Sequence, residues 1–457
     1  MCPFLPDCLV SLAKNCLKKT GKPLYLVGGC VRDYLAGFSL SAADYDVCAP
    51  VDAESFSRVA KESGFDVDCV YKNTGTVKIS IETNEGRVAA EYTSFRSDRY
   101  VRGVHTPVET FFTDDISLDA KRRDFTCNAV YYDLCADVFT DPLNGIADIK
   151  EKRIKTADNP DKVFGEDGLR LLRLARFVGT TGFTPEKDAI EAARKHAHLI
   201  KDVSPERVFA ELKLILTADE KYQNEGGVYE ALRVLDETRV LDNVFPKLTQ
   251  GRNMTQRADF HSHDVLEHSL RAAAYAKKEV RLAALLHDIG KPTAFLRDGR
   301  YADHPNVGEK IAREALTRLK APHKTIERVC TLTKEHMYDY NLQTKEPKLR
   351  RYIVEHAAVL DELLLVKQAD YTACKDDKNV APCVLKWQEL IAKMREEGVP
   401  FSLKELAVRG DEIAPLLPSK ACVGKTLNAL LLHCAVFPKD NVKARLIALA
   451  PKFCKDE

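Results

Sequence analysis

The pattern of hydrophobic residues changes near residue 150, and this change limits the folds that the chain can adopt. Before it, short apolar or alternating runs predict strands, near residues 23–29, 44–49, 75–82, 87–96 and 128–140. Helices are predicted near 7–19 and 52–63. Beyond residue 150, apolar residues repeat at intervals of three and four, which is typical of helices. We therefore expect an α+β fold, with a small mixed sheet and its helices followed by all-helical regions.

The length and charge of the chain indicate several domains. A chain of 457 residues exceeds the usual size of one domain. We expect four regions, with boundaries at 1–145, 146–255, 256–395 and 396–457. The net charge is only +1, so positive charge for an RNA partner must be local.

The 14 cysteines are scattered and form no CxxC pair. The start, MCPFLPDCLVSLAKNC, has neither a basic leader nor a long apolar core, so the cysteines are interpreted as reduced thiols in a cytoplasm. No apolar run approaches the roughly 18–20 residues that span a membrane. We therefore expect a cytoplasmic protein with no membrane partner, as a monomer or a homodimer.

The segment LVGGCVRD follows a predicted strand and begins a helix. Gly28 and Gly29 have no Cβ atoms, so their backbone can approach a ligand, and N–H groups at a helix N-terminus favour a phosphate. Arg32, one turn into the helix, could reach the same phosphate. A glycine pair alone is more often a simple turn.

Two aspartates follow on the next predicted strand. Asp44 and Asp46 are separated by one residue and therefore face the same side of a strand. Neighbouring carboxylates repel each other unless they share a cation, and Mg²⁺ is the usual one for phosphoryl transfer. Two such ions about 3.5–4 Å apart activate a hydroxyl and stabilise leaving pyrophosphate. Solvated loop carboxylates are the alternative interpretation. Glu91, on a later strand, is a candidate third carboxylate.

Charged residues recur every three positions in the segment EDGLRLLRLARF, at Asp167, Arg170, Arg173 and Arg176. On one predicted helix they would lie opposite an apolar stripe. A solvated basic face is the usual explanation of such spacing. However, an arginine fork beside a carboxylate can also pair with the Watson–Crick edge of a base.

Seven of the 12 histidines fall between residues 261 and 336. His287 and Asp288 are adjacent on a predicted helix, where side chains about 100° apart can hold one metal. His268 and Asp370 could complete the ligands and leave positions for water, which could then attack a phosphate. A single histidine is more often a surface or core residue, but the ordered set is more specific.

The order GG-x-VRD and then D-x-D resembles the nucleotidyltransferase superfamily of DNA polymerase beta. The runs RRDFTCNAV, EDGLRLLRLARF and SPERVFAELKLIL resemble the next motifs of class II tRNA nucleotidyltransferases and bacterial poly(A) polymerases, over residues 24–250. The resemblance implies that Asp167 and Arg170 pair with the incoming cytosine or adenine. The further nucleotide-binding residues that we expect are Gly29, Arg32, Arg123, Asp124, Asn128, Arg173 and Arg176. Gly168 stands where the family usually has proline, which should loosen the helix start.

Both enzyme types share these motifs. The arginine-rich signature of bacterial poly(A) polymerases is absent between the two aspartates and RRDFTCNAV, and residues 94–126 resemble the flexible loop of CCA enzymes. We therefore expect Mg²⁺-dependent addition of CMP, CMP and AMP to tRNA, from CTP and ATP. The alternatives are a poly(A) polymerase, an enzyme that adds only CC or only A, and a degenerate RNA-binding head that serves a hydrolase.

The order H…HD…H…H…D resembles the HD phosphohydrolase superfamily over residues 260–375. The resemblance implies a divalent transition metal bound by His268, His287, Asp288 and Asp370. His304 and His336 would hold a second ion or the substrate phosphate, which Lys291 would steady. In the better-understood CCA enzymes such modules are phosphatases or 2′,3′-cyclic phosphodiesterases, so the resemblance implies an activity of this kind. The tail resembles the C-terminal segment of HD-bearing CCA enzymes, for which we expect helical packing and contact with the tRNA elbow.

Overall fold

The computed structural model of the protein describes two compact units. The described residues are 5–38, 44–84, 86–99, 109–256, 259 and 261–453, without the side chain of Asp44. The units are Met1–Pro246 and Lys247–Glu457. A mixed sheet in the first unit is followed by helical regions, so the expected α+β fold is confirmed. The four predicted regional boundaries stay predictions.

Strands occur in the first unit. They are β1 (Tyr25–Val27), β2 (Asp44–Ala49), β3 (Asp66–Tyr71), β4 (Thr76–Thr83), β5 (Gly86–Ser94), β6 (Arg96–Arg99), β7 (Glu109–Phe112), β8 (Tyr131–Asp133), β9 (Val138–Thr140), β10 (Arg153–Ile154) and β11 (Thr184–Pro185). Within the described ranges, seven strands form one sheet in the order β3-β4-β5-β2-β1-β8-β9. β2 pairs parallel with β5 and antiparallel with β1, so it lies inside the sheet.

The sequence misjudged two parts of this sheet. The single strand predicted over 128–140 is wrong, because β8 and β9 form an antiparallel hairpin. Its turn is stabilised by the Asp133 carboxylate, which accepts the N–H groups of Cys135 and Ala136 at 2.8 Å each. β3 was missed because it is an edge strand whose side chains are mostly exposed, so its apolar alternation is weak.

Helices of the first unit surround the sheet and continue beyond it. They are α1 (Asp7–Thr20), α2 (Gly29–Leu35), α3 (Ala53–Glu62), α4 (Ile116–Lys121), α5 (Gly145–Lys150), α6 (Pro160–Glu166), α7 (Leu169–Thr181), α8 (Lys187–His196), α9 (Pro205–Ile215), α10 (Gly227–Glu237) and α11 (Leu241–Val244), and the boundary between the units falls in α12 (Pro246–Thr249). Helix α7 packs against α9 and α10. At the α10 contact, a Cβ atom on Gly179 would lie 2.6 Å from the Gly227 carbonyl oxygen, so this close approach requires glycine.

The second unit is helical throughout its described part. Its helices are α13 (Val265–Tyr275), α14 (Arg281–Leu286), α15 (Lys291–Asp298), α16 (His304–Arg318), α17 (His323–Glu335), α18 (Glu346–Glu355), α19 (Leu360–Lys375), α20 (Pro382–Glu396), α21 (Gly410–Ile413), α22 (Cys422–Val436) and α23 (Lys443–Phe453). Helices α13, α14, α17 and α19 pack together, and α13 and α19 carry the predicted metal ligands His268 and Asp370. Among the helices described in either unit, none has both the length and the apolar character needed to span a membrane.

Candidate active site and metal cluster

The glycine turn of the first unit lies directly against an aspartate. The register of β1 and β2 places Val27 opposite Asp46, so the turn after β1 reaches that carboxylate. Gly28 has φ +80°, and a Cβ atom there would lie 2.9 Å from Asp46 Oδ2. Glycine is therefore needed both for the backbone conformation and for the space beside Asp46.

The three predicted catalytic carboxylates have different environments. Asp46 is exposed and lines a cleft with the glycine turn. The Asp44 backbone pairs in register with Ala89, while its side chain lies outside the described residues. Glu91 pairs in register with Asp46 on the parallel strand β5. Its half-exposed carboxylate lies 3.4 Å from Lys78 Nζ, and it is not part of the cleft lining.

The cleft has a volume of about 630 Å³. It brings Asp46 together with every nucleotide-binding residue predicted from the sequence, namely Gly29, Arg32, Arg123, Asp124, Asn128, Asp167, Arg170, Arg173 and Arg176. Sequence reasoning missed other members of the lining, which include Cys30, Asp33, Arg122, Phe177, Arg207 and Lys221. Among the described lining residues, eight arginines and lysines outnumber four aspartates. The positive charge is therefore local, although the whole chain is nearly neutral.

A continuous network of charged groups forms one wall of the cleft. The buried Arg32 donates to Asp33 Oδ1 at 2.6 and 2.9 Å and to Asn128 Oδ1 at 2.8 Å. Asn128 donates to Asp124 Oδ1 at 3.0 Å, and Arg173 Nε donates to Asp124 Oδ2 at 2.8 Å. Burial alone would raise the pKa of Asp124, but Arg173 and Asn128 hold it well below its usual range. Asp124 is therefore a permanent anion that orients the arginine.

A second buried carboxylate orients the arginine pair of the RRDFTCNAV motif. Asp119 accepts from Arg122 Nε at 2.7 Å, from Arg123 Nη2 at 3.0 Å and from the Tyr131 hydroxyl at 2.7 Å. Burial raises the pKa of Asp119, but the two arginines outweigh it and hold the pKa at about 2. Asp119 stands just before the motif, and its spacing alone did not mark it as functional.

Asp167 lies before helix α7, so the prediction that it shares one helix with the arginines is wrong. Its backbone is extended, with φ −141°, and Oδ1 accepts the Leu169 N–H at 3.0 Å. Arg207 Nη2 lies 3.6 Å from Asp167 Oδ2. A Cβ atom on Gly168 would lie 2.6 Å from the Leu199 carbonyl oxygen, so this backbone leaves no room for the usual proline.

Arg170 is held within the protein. Its buried guanidinium donates to the carbonyl oxygens of Val163 at 2.9 Å and Arg122 at 2.6 Å. It also lies 3.2 Å from Glu166 Oε2. These bonds connect α7 to α6 and to the arginine pair, so Arg170 is fixed in the cleft wall.

Phe177 provides a ring against which three cleft arginines lie. The guanidinium carbons of Arg32, Arg173 and Arg176 lie 5.0, 5.2 and 4.5 Å from its ring centroid. Each position is within the range of cation–π attraction. Arg176 also pairs with Glu211 of α9. The sequence indicated only that Phe177 belongs to the buried stripe of α7.

The second unit brings the predicted metal ligands together. His268 lies in α13 and Asp370 in α19, but His287 and Asp288 lie in the turn after α14. The prediction that these two residues lie on a helix is therefore wrong. At the end of this turn, a Cβ atom on Gly290 would lie only 2.1 Å from the His304 carbonyl oxygen, so the close approach requires glycine.

Four of these ligands converge at one point and are buried. His268 Nε2 lies 3.2 Å from His287 Nε2 and 3.0 Å from Asp370 Oδ1. Asp288 Oδ2 lies 3.2 Å from His287 Nε2. Two imidazole nitrogens and two carboxylate oxygens form a donor set that suits a divalent transition metal.

The other oxygen of Asp288 faces a second pair of histidines. Asp288 Oδ1 lies 3.1 Å from His304 Nε2, which in turn lies 3.3 Å from His336 Nε2. Both rings direct Nδ1 at a backbone carbonyl, so Nδ1 carries the proton and the two Nε2 lone pairs face each other. A bound cation would relieve this arrangement, so His304 and His336, with Asp288, are suited to hold a second ion.

A pocket of about 310 Å³ opens beside these six residues, which we call the histidine cluster. Lys291 Nζ lies in it, 2.6 Å from Asp288 Oδ2, and also donates to Gln256 at 2.7 Å. Other parts of the lining are His261, Tyr301, Met337, Tyr340 and Asn341. A cation next to the cluster is suited to bind a phosphate, while the aromatic walls suit an organic group.

Three family descriptions match the chain in order. They are the "Poly A polymerase head domain" over residues 24–155, the "Probable RNA and SrmB- binding site of polymerase A" over 182–251 and the "HD domain" over 260–374. Two curated relatives align with most of the chain. An A-adding tRNA nucleotidyltransferase of Deinococcus radiodurans is 31% identical over 93% of this chain and 90% of its own length.

The chain belongs to the tRNA nucleotidyltransferase/poly(A) polymerase family. The expectation that it is a nucleotidyltransferase enzyme with an HD domain is confirmed. The second relative, a multifunctional CCA protein of Acinetobacter baumannii, is 29% identical over 71% of this chain and 76% of its own length.

Solved structures show the same fold. The CCA-adding enzyme of Bacillus stearothermophilus, solved in complex with CTP, has a TM-score of 0.66 at 23% identity, over 97% of this chain and 96% of its own. A tRNA nucleotidyltransferase complexed with a primer tRNA and an ATP analog has a TM-score of 0.51 at 20% identity, over 85% and 99% of the two chains.

Proposed function

We propose that this family member adds CMP, CMP and AMP to the 3′ end of tRNA. The observation that supports the proposal best is the cleft in which the glycine turn, Asp46 and the arginine wall meet. The relative named multifunctional CCA protein and the CCA-adding structural neighbour are consistent with it.

The residues at the glycine turn suit a nucleoside triphosphate. Mg²⁺ bound by Asp44 and Asp46 would lower the pKa of the attacking 3′-hydroxyl and stabilise the leaving pyrophosphate. Because Gly28 has no Cβ atom to crowd Asp46 Oδ2, this carboxylate oxygen stays accessible to such an ion. Arg32 uses three of its five N–H groups for described protein partners, so two remain to donate to the triphosphate. Gly29 would help to orient the same triphosphate.

The base would be selected on the α7 side of the cleft. Asp167 is oriented by Arg207 and by the Leu169 N–H, and Arg170 by two carbonyl oxygens. Residues held in this way offer an acceptor and a donor in fixed positions for the edge of cytosine or adenine. We assign Arg123, Asp124, Asn128, Arg173 and Arg176 to nucleotide binding around that edge.

The tRNA would be attracted by the local positive charge of the cleft. Because phosphate contacts release counterions, tRNA binding should weaken steeply as salt concentration rises. One structural neighbour was solved with a primer tRNA and an ATP analog, which supports a nucleic-acid partner here.

The test uses purified protein with CTP, ATP and a tRNA that lacks its CCA end. The proposal expects three additions followed by termination, with sequencing that reads CCA. An unlimited ladder of adenylates would instead identify a poly(A) polymerase. A tRNA that already ends in CCA serves as the control and should gain no nucleotides.

A-only addition is a second candidate, because the relative at 31% identity is named an A-adding enzyme. Two substrates distinguish these functions: a tRNA that ends in CC, and a tRNA that lacks all three nucleotides. If the protein extends only the first of these substrates, it is an A-adding enzyme and the CCA proposal is wrong.

We propose a second, metal-dependent phosphohydrolase activity for the histidine cluster. Its ligands are His268, His287, Asp288 and Asp370, with His304 and His336 for a second ion. A metal there would supply a water of lowered pKa, and Lys291 would bind the substrate phosphate. The test measures hydrolysis of 2′,3′-cyclic AMP and of 3′-AMP before and after chelation. The proposal expects activity that chelation removes and an added divalent metal restores, and no hydrolysis under any metal tested would refute it.

A further inference from the structure

His268 differs from the other histidines of the cluster. His287, His304 and His336 each direct Nδ1 at the backbone carbonyl three residues earlier, at 2.6, 2.6 and 2.7 Å. Metal-binding histidines usually use their second nitrogen in this way. The His268 ring is fully buried, yet its Nδ1 has no hydrogen-bond partner among the described residues.

Two other side chains with possible ligand atoms lie close to the His268 ring. His261, His268 and Cys374 each offer a ligand atom, and the three atoms lie within 4.8 Å of one another. His268 Nε2 already faces His287 and Asp370, so Nδ1 is the nitrogen left for this group. The Nδ1 atom of His261 is also buried without a hydrogen-bond partner in the described part of the chain.

The backbone holds these three residues close together. Cys374 follows Asp370 by one turn of α19 and is buried. The Ser262 N–H donates to the Cys374 carbonyl oxygen at 2.9 Å, which fixes the segment before α13 against α19. The rings of His261 and His268 meet edge to face, with centroids 5.0 Å apart. The group therefore joins α13 and α19 to the partly buried segment that precedes α13.

We propose that His261, His268 and Cys374 form a further site for one divalent transition metal, with Zn²⁺ as the best match to two imidazoles and a thiolate. The His268 ring would connect this site to the histidine cluster. Three protein ligands leave a fourth position for water. The site depends on the proposed cluster only in the use of His268 Nε2.

The charges balance when the ion binds. The Cys374 thiol gives up its proton, and His268, whose Nε2 binds the cluster metal, gives up the proton on Nδ1. One divalent cation therefore replaces two protons, and the net charge of the buried group does not change. This balance limits the repulsion between the new ion and the ions held by Asp288.

The first test counts Zn²⁺. The full-length protein is stripped with a chelator, reloaded with Zn²⁺, exchanged into metal-free buffer and analysed by mass spectrometry of the metal. The wild type should retain one equivalent more than the Cys374→Ser and His261→Ala variants. Cys434→Ser, which changes another buried cysteine of the same unit, is the matched control and should retain the wild-type content.

The second test detects the bond between the metal and the thiolate directly, so it does not require the variants to be equally stable. Loading with Co²⁺ should give thiolate-to-cobalt charge-transfer absorption in the near ultraviolet, which Cys374→Ser removes and Cys434→Ser keeps. His287→Ala, which impairs only the cluster, should also keep this band. Equal Zn²⁺ content in the wild type and Cys374→Ser, or a wild type without the band, would show that the three side chains form a group with no ion and would overturn the proposal.

Discussion

The nucleotide cleft of the first unit and the histidine cluster of the second use charge in different ways. The cleft spreads eight cationic and four acidic side chains around about 630 Å³, so its centre is left to a large polyanion. In the cluster, six buried side chains bring their donor atoms within a few ångströms of each other, which leaves room only for small cations. The difference shows that one site suits a substrate and the other suits metal ions.

The two sites also hold their side chains by different means. Arginines are long and flexible, so the cleft orients them with buried carboxylates, an amide and the Phe177 ring. A histidine has a short side chain, and one backbone carbonyl is enough to fix its ring and its tautomer, as for His287. Substitutions in the cleft should therefore act through several partners, and those in the cluster through the metal alone.

Asp46→Asn should give the largest effect. The substitution removes the described carboxylate beside the glycine turn, so nucleotide addition should fall by about 10³-fold or more, as expected for loss of a group that stabilises transition-state charge. The rate of nucleotide addition is measured as the incorporation of labelled AMP into tRNA. Asp52→Asn, at the N-cap of α3, is the control and should keep full activity.

Asp44→Asn should have an effect of similar size. If both aspartate variants add nucleotides at the wild-type rate, the head is an RNA-binding adaptor for the hydrolase, and the contrast between a substrate site and a metal site is lost. The metal content of the histidine cluster should stay the same in both variants.

His287→Ala tests the cluster alone. Loss of one imidazole ligand should weaken metal binding by about 10²-fold or more and remove phosphohydrolase activity, while nucleotide addition stays at the wild-type rate. Metal content and cyclic phosphodiester hydrolysis are measured together. His323→Ala changes a largely exposed histidine and serves as the control. Loss of both activities at once would mean that the two units do not function independently.

Asp119 makes the stability of the cleft wall depend on pH. Its folded pKa of about 2 lies below the unfolded value of 3.8, so its contribution is fully present above pH 4 and is lost as pH falls from about 4 to 2. That contribution is about 2 kcal/mol. Asp119→Asn should lower the free energy of unfolding of the first unit near neutral pH and weaken its dependence on pH below 4.

Urea denaturation at several pH values measures this dependence. Asp114→Asn removes an exposed carboxylate and controls for the change in net charge. If Asp119→Asn has the same acid sensitivity as the wild type, the arginine pair does not depend on this carboxylate, and the proposed difference in how the two sites hold their side chains is weakened.

Phe177→Leu tests the aromatic contact of the three arginines. The variant keeps an apolar residue in the core but removes the ring face, so KM for ATP and CTP should rise by about tenfold while kcat changes less. Phe164→Leu, at a fully buried phenylalanine whose ring has no cation–π contact among the described residues, is the matched control. Equal KM values in the two variants would assign Phe177 to packing alone.

The sequence predicted the chemistry of both sites better than their geometry. Glycine pairs, neighbouring aspartates and ordered histidines have recognisable spacing, because each chemical step needs those groups close together. The residues that orient them have no such pattern. Arg207 and Lys221 come from separate segments that only the fold brings to the cleft. Asp119 lies just before the RRDFTCNAV motif, but its spacing does not mark it.

The sequence pattern also extended two predicted helices beyond their observed ends. Asp167 and His287 both belong to patterns with helical spacing, yet each lies just outside a helix. Each is followed by a glycine at close backbone contact, Gly168 against Leu199 in the first case and Gly290 against His304 in the second. Such contacts depend on segments distant in the chain, so local periodicity does not reveal them.

Glu91→Gln should have the smallest effect, and it tests whether the cleft needs a third carboxylate. The register places Glu91 beside Asp46 on the neighbouring strand, but its carboxylate is half exposed, pairs with Lys78 and does not line the cleft. An exposed ion pair of this kind contributes little, so the rate of nucleotide addition should fall by only about threefold. Lys78→Met removes the same ion pair and should lower the rate of nucleotide addition by a similarly small factor. A loss close to that of Asp46→Asn, seen in Glu91→Gln but not in Lys78→Met, would instead make Glu91 a metal ligand and the head a three-carboxylate site.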